Sequence, residues 1–378
     1  MHANNGWTAT HSLDSFDCTL ANVREIVFAC LEAAGARSVA EIGAEHGLFT
    51  SELLAWAEGN GAERITAIDP APRPRLSELA ERRPELELIV EASHAALPAL
   101  DLPDAVIVDG DHNYFTVREE LRLVGEKAGD GLLPLILLHD IGWPLARRDS
   151  YHDPGRLAGE HRRPYADQGF LVPGDAGLAE RGLYYERIAL VEGGPRNGVL
   201  TAVEDFVAGG EHLRLAIVPP FFGLGVLWDE RAPWAERMAT TVAPWDRNPL
   251  LERMETKRVF HLVAEFENLQ RVDALRTADY VHRYRLIGRL LPLVGSRAFA
   301  LAERISNVRQ RGRPNVSRAD LEALLSDLAA DDIDIEQLKT NPEPSPEGYV
   351  VRAVEEPTAT ARPAVPPPGA SDLASETS

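Results

Sequence analysis

The chain lacks most of what would place it outside a reducing, aqueous setting. It has two cysteines in 378 residues, Cys18 and Cys30. Their spacing is not that of a metal knuckle and their number excludes a disulfide-stapled fold, so both are expected to be small core residues of a reduced, cytoplasmic protein. No basic-then-apolar leader is visible, and no apolar run approaches the ~20 residues of a membrane span. Positive charge is also short: 39 Lys+Arg against 59 Asp+Glu leave a formal net charge of −20. That balance excludes nonspecific nucleic-acid binding as the main task and points to a solvated acidic surface. No internal repeat is evident.

What is present is an ordinary globular composition, 44% hydrophobic, at a length that allows one large domain with additions or two small ones. A helix is expected over Leu20–Ala34, with Val23, Ile26, Val27, Cys30 and Leu31 on one stripe. Strands and helices then alternate. Strands are expected at Val39–Ile42, Arg64–Ile68, Glu87–Val90, Ala105–Val108 and Leu132–Leu138, with helices at Phe49–Ala57, Arg75–Arg82 and Phe115–Lys127 between them. The last strand is continuously apolar, as the middle of a parallel sheet should be. The pattern breaks over residues 142–197, which are rich in Gly, Pro, Arg, His and Tyr, and an inserted lid is expected there. A helix at Val199–Val207 and two adjacent strands, His212–Val218 and Phe222–Trp228, close the alternation as an antiparallel hairpin.

The most informative stretch is Val39–Thr50, where an apolar strand ends in Glu41 and a turn with Gly43 and Gly47 opens a helix. Glycines there are expected to let the backbone approach a ligand, and the helix start offers free N–H groups to an anionic group. The spacing Gly43-x-x-x-Gly47 is not the G-x-G-x-x-G of a dinucleotide site. An acid at the strand end suits a ligand bearing an ammonium and a carboxylate. This turn resembles motif I of class I S-adenosylmethionine (SAM) methyltransferases, with Glu45 where the middle glycine is usual. Five parallel strands plus a hairpin are similar to the seven-stranded sheet of that class. The fold expected is thus α/β and Rossmann-like, with a lid and a C-terminal helical extension.

In such a sheet, ligands collect at the carboxyl ends of the strands. The resemblance implies that Asp69, ending the second strand, accepts hydrogen bonds from both ribose hydroxyls, and that Ser93, after the third, lines the adenine. With Glu41, Gly43 and Gly47 these form the expected cofactor set. The fourth strand ends Asp109-Gly110-Asp111-His112-Asn113-Tyr114 and the fifth ends His139-Asp140. Adjacent parallel strands make Asp109 and Asp140 neighbours, and two such carboxylates repel unless a proton, a cation or a ligand joins them. Oxygen-rich ligation fits Mg²⁺ or a similar hard cation. D-G-D-H-x-Y followed by L-H-D resembles the family that includes macrolide-sugar O-methyltransferases. The resemblance, over residues 25–230, implies Asp109 and Asp140 as metal ligands and His112 as the base. His139 stands where some relatives place an acidic ligand, and imidazole suits Zn²⁺ or Fe²⁺ better.

The expected activity is SAM-dependent O-methylation of a sugar, glycan or other hydroxylated small molecule. The alternatives are a metal-independent methyltransferase and a non-catalytic SAM-fold binding or assembly protein. Trp143, Tyr151, His152, His161, Tyr165, Tyr184 and Tyr185 of the lid would offer stacking surface to the acceptor. Residues 1–230 are read as the methyltransferase domain and 231–340 as a helical extension. Within that extension residues 276–313 carry nine arginines against Asp279 and Glu303. That extension suits packing on the core or on a second subunit, with a peripheral contact at the inner membrane surface as the other reading. The Pro-, Ala-, Ser-, Thr- and Glu-rich residues 341–378 are expected to be disordered.

Overall fold

The computed structural model describes residues 20–309, 317–330, 333–335 and 338. Cys18 and the tail expected from Asn341 lie outside them. The described residues fall into two compact units, one running to Arg276 and the other beginning at Thr277. The first unit therefore continues well past the expected boundary at Glu230.

In that unit the alternation becomes α1 (Arg24–Ala34), β1 (Ser38–Ile42), α2 (Leu48–Asn60), β2 (Arg64–Ile68), α3 (Pro74–Arg82), β3 (Leu86–Ile89), α4 (Ser93–Ala96), β4 (Ala105–Val108), α5 (Tyr114–Ala128) and β5 (Leu135–His139). Then follow β6 (Tyr165–Leu171), β7 (Leu183–Ala189), α6 (Val199–Val207), β8 (Leu213–Val218), β9 (Leu224–Asp229), α7 (Ala235–Val242) and the long α8 (Pro249–Val294), whose residues up to Arg276 belong here. The seven-stranded sheet has the order β3-β2-β1-β4-β5-β9-β8. Its first five strands are parallel, and β9 pairs antiparallel with both β5 and β8. The middle strands are continuous apolar runs because helices cover both faces. One layer centres on Val27, Leu31, Leu53, Leu54 and Met238, the other on Val117, Leu121, Val199 and Val203.

Three local departures from expectation have physical causes. Residues 142–197 hold an antiparallel pair, β6 with β7, that irregular patterning hid. The strand expected from Phe222 starts at Leu224, because Phe221, Phe222 and Gly223 all take left-handed backbone, with φ of +54°, +66° and +88°. The short α4 has no periodic signal to announce it.

In the second unit, Tyr280, Tyr284, Ile287 and Val294 of α8 share a core with Leu325 and Ala329 of α10 (Arg318–Ala329). Pro292 lies within the last turn of α8, and the helix ends two residues after it. Between them α9 (Arg297–Arg309) leaves Leu301 and Ile305 exposed. Ser317 caps α10 in a reciprocal bond with Asp320. Among the described residues, no helix is long and apolar enough to cross a membrane.

Candidate active site

Parallel strands deliver their ends to one rim, and the order reverses between β1 and β4, where α/β sheets open a crevice. Along that rim lie Ser93 after β3, Asp69 after β2, Glu41 and Gly43 at the end of β1, Asp109 after β4, and His139 and Asp140 at the end of β5. Every candidate residue read from the sequence lies on this edge or at the helix start beside it.

The β1 side is largely satisfied by its own chain. Glu41 is buried and accepts a hydrogen bond from Thr50 Oγ1 at 2.6 Å. Burial, opposed by that bond and reinforced by Asp109 and Asp69, pushes its carboxyl up to about 8. Asp69 accepts the N–H of Glu45 on one oxygen and of Ala71 on the other, both at 2.8 Å. It thereby fixes the turn in which Glu45 holds the left-handed φ of +39° that a glycine takes more easily. Gly47, at φ +67°, precedes α2 without any side-chain cap, leaving the helix start open to an anion. The reason for Gly43 differs from the one expected. A Cβ there would collide with the carbonyl of Asp109 and with Gly110 Cα. The glycine thus makes room for the backbone of the β4 turn. Ser93 donates from Oγ to Glu120 at 2.6 Å. Burial raises the Glu120 carboxyl to about 8, and its second oxygen has no partner among the described residues.

The β4–β5 side is a cluster of two carboxylates and two imidazoles. His112 Nε2 lies 3.0 Å from Asp140 Oδ2 and 3.4 Å from Asp109 Oδ1. His139 Nδ1 lies 3.2 Å from Asp109 Oδ1 and 3.6 Å from Asp140 Oδ2. Its Nε2 is 2.9 Å from the Phe221 carbonyl, which only accepts, so Nε2 carries a proton. Burial pulls both imidazoles down, but the aspartates outweigh it, raising His112 to about 9 and His139 well above its usual range. Burial pushes Asp109 up, and the same imidazoles hold it below the usual carboxylate range. Asp140 takes a left-handed φ of +57° at the strand end, a strained conformation typical of working sites. Asp109, His112 and Asp140 can each offer one ligand atom, all within 4.8 Å of one another. The two carboxylates fit a hard dication that completes its shell with water, while the imidazole would suit Zn²⁺ or Fe²⁺ better. His139, expected as a ligand, stands outside this set with one nitrogen committed to Phe221. His112, expected as the base, lies within it.

The loop bearing His112 is fastened by its own Asp111 and Asn113 and by Asp149 and Ser150, the last two unmarked in the sequence reading. Asn113 caps α5 through Thr116 N. Asp111 accepts from Asn113 Nδ2, Thr116 Oγ1 and the backbone of His152. Ser150 N donates to the His112 carbonyl at 3.0 Å. Buried Asp149 accepts from the N–H groups of Tyr114 and Gly198 and from the Tyr151 hydroxyl. The insertion therefore grips the His112 loop at its base. Several aromatics expected to offer stacking surface instead build the insertion's own core: Tyr151 is buried, and Trp143 and Tyr185 pack around Leu145, Leu171 and Ile188. His161 stacks on Phe115 at 3.8 Å, and Phe115 in turn meets the edge of His94.

Residues 40–141 match the family described as a methyltransferase domain. No curated protein matches. Among solved structures, the methyltransferase PaMTH1 of Podospora anserina, bound to S-adenosylhomocysteine, is similar at 17% identity and a TM-score of 0.36, over 59% of this chain and 85% of that one. CalS10 of Micromonospora echinaspora, a SAM-bound amino pentose methyltransferase, is similar at 14% identity and a TM-score of 0.31, over 58% and 93%. The matched span runs from β1 to just past β5 and so contains both the glycine turn and the aspartate rim. By that span and its sheet order, the chain carries a class I SAM-dependent methyltransferase domain.

Proposed function

We propose that this chain moves the SAM methyl group to a hydroxyl of a sugar, glycan or other small molecule, with Asp109, His112 and Asp140 as the reaction centre. The observation that supports it is the meeting of two carboxylates with an imidazole at the switch point, beside the open start of α2. In this reading the uncapped N–H groups of α2 receive the SAM carboxylate, and Glu41 receives its ammonium. Asp69 keeps the turn in shape and offers its remaining lone pairs to the ribose. Asp109 and Asp140 would hold a divalent cation, Mg²⁺ by the chemistry of the donors, with His112 in reach. Such a cation lowers the pKa of a bound hydroxyl. A cation on Asp109 and Asp140 would remove the carboxylate charge that keeps His112 protonated, and Nε2 would then be free to take up the hydroxyl proton. The rim holds the acceptor oxygen in line with the methyl carbon, and that alignment supplies much of the rate.

The test is transfer of a labelled methyl group from SAM to a panel of hydroxylated sugars and phenols, with and without EDTA. Label should pass to an acceptor, vanish with EDTA and return with excess Mg²⁺. A second reading is favoured by His139, whose imidazolium already balances the two aspartates without a cation. Transfer indifferent to EDTA would establish it. Calorimetric titration with SAM that releases no heat would sink both and leave a non-catalytic binding protein.

A further inference from the structure

The turn Phe221-Phe222-Gly223 carries the carbonyl that orients His139, and it is an unfavourable turn. Two consecutive aromatic residues in left-handed backbone are disfavoured by the clash of Cβ with the following carbonyl. Something must compensate, and α8 supplies it. Glu255 accepts the N–H of Phe221 at 3.0 Å on one oxygen and that of Phe222 at 2.8 Å on the other. Arg258, one turn further on, holds the same two oxygens at 2.7 Å each and lies over the rings of Phe222 and Phe221, 4.5 and 5.2 Å from their centroids. Val259 and Val263 of the same helix are buried with Phe222 and Leu183, which seats α8 on the turn. On the other side Gly142 N, two residues after Asp140, donates to the Phe222 carbonyl.

We propose that Glu255 is a positioning residue for the rim cluster: it holds the Phe221–Gly223 turn and, through the Phe221 carbonyl, the ring of His139 against Asp109 and Asp140. This rests on the reading of that cluster as the reaction centre. Without Glu255 the two N–H groups lose their acceptor and Arg258 its counter-charge, and only ring packing and the Gly142 bond are left to hold the left-handed pair. The turn relaxes, its carbonyl swings off His139, and the ring no longer keeps Nδ1 on the aspartates. The first turns of α8, which the sequence places in a separate extension, thus belong to the catalytic apparatus.

The full chain labelled with ¹⁵N-histidine tests this without an acceptor. The His139 Nε2 proton, buried and hydrogen-bonded, should give a slowly exchanging downfield resonance, assigned by its absence in His139→Gln. In Glu255→Ala that signal should broaden into exchange and Mn²⁺ should bind at least tenfold more tightly, because His139 no longer competes for the aspartates, while SAM affinity by calorimetry stays within twofold. Adding Phe221→Gly and Phe222→Gly should restore the signal and the wild-type Mn²⁺ affinity, since glycine takes positive φ freely. A merely structural loss would deepen with those substitutions. Should Glu255→Ala fail to fold, Glu255→Gln, which keeps the volume and one acceptor oxygen, should show the same changes in smaller degree. An unchanged His139 signal in the Glu255 variants, or no recovery with the glycines, overturns the proposal. If wild-type protein binds no Mn²⁺, the metal reading alone falls and the resonance still decides the role of Glu255.

Discussion

The two halves of the rim are built on opposite principles. On the β1–β2 side, each carboxylate has found a partner within its own fold: Glu41 takes the Thr50 hydroxyl, and Asp69 takes two backbone N–H groups. On the β4–β5 side, Asp109 and Asp140 face only each other and two imidazoles that compete for them. The first half is a finished cradle whose shape is set before any ligand arrives. The second sets two carboxylates against two imidazoles at close range and leaves the protons between them unresolved, the condition under which a proton or a cation is readily exchanged.

The largest break in this contrast should come from the unresolved side. His112→Ala should reduce methyl transfer by about 10²–10⁴-fold, the range for a lost general base, while calorimetry finds SAM affinity within twofold of wild type. A parallel loss of SAM affinity would mean that the halves are not separable. Next in size is Gly43→Ala, which joins a φ of +88° to a collision with the β4 turn. Thermal or urea unfolding should show about 3 kcal/mol of lost stability, and both SAM and Mn²⁺ binding should suffer, because the residue belongs to both halves. The smallest effect sharpens the satisfied side. Glu41 titrates near 4.5 when unfolded and at about 8 when folded. The folded state therefore binds the extra proton, and the stability Glu41 contributes is whole below pH 4.5 and lost as pH rises through 8. Glu41→Gln should flatten that decline, improving on wild type between pH 6 and 8 by on the order of 1–2 kcal/mol. Denaturant melts across that range that run parallel for the two proteins would refute it.

Much of this was legible in the sequence, for a physical reason. A parallel strand buried on both faces is a continuous apolar run, and the polar residue that ends it stands at the rim. Val39–Ile42, Ala105–Val108 and the apolar run to Leu138 therefore announced both the sheet and where Asp109 and Asp140 would meet. The paired β6 and β7 were not legible, because half-exposed strands containing Gly169, Gln168 and Arg187 show no alternation. Nor was the Glu255 contact with Phe221, 34 residues away, since no local rule marks an acceptor for a distant turn. Glu120 offered a signal that went unused: a carboxylate on the same helical stripe as Val117, Leu121 and Val124 must be buried. Gly43 was identified as a required glycine, but its cause was the backbone of another strand, which spacing alone does not reveal.

That backbone contact at Gly43 has a mechanical consequence. Where main chain rests on main chain, the gap between donor seat and acceptor seat is set without any side chain that selection could lengthen or shorten. If the proposed site holds, new acceptors would be accommodated by remodelling residues 142–197, while the spacing of β1 and β4 at Gly43 stays fixed like the jaws of a calliper.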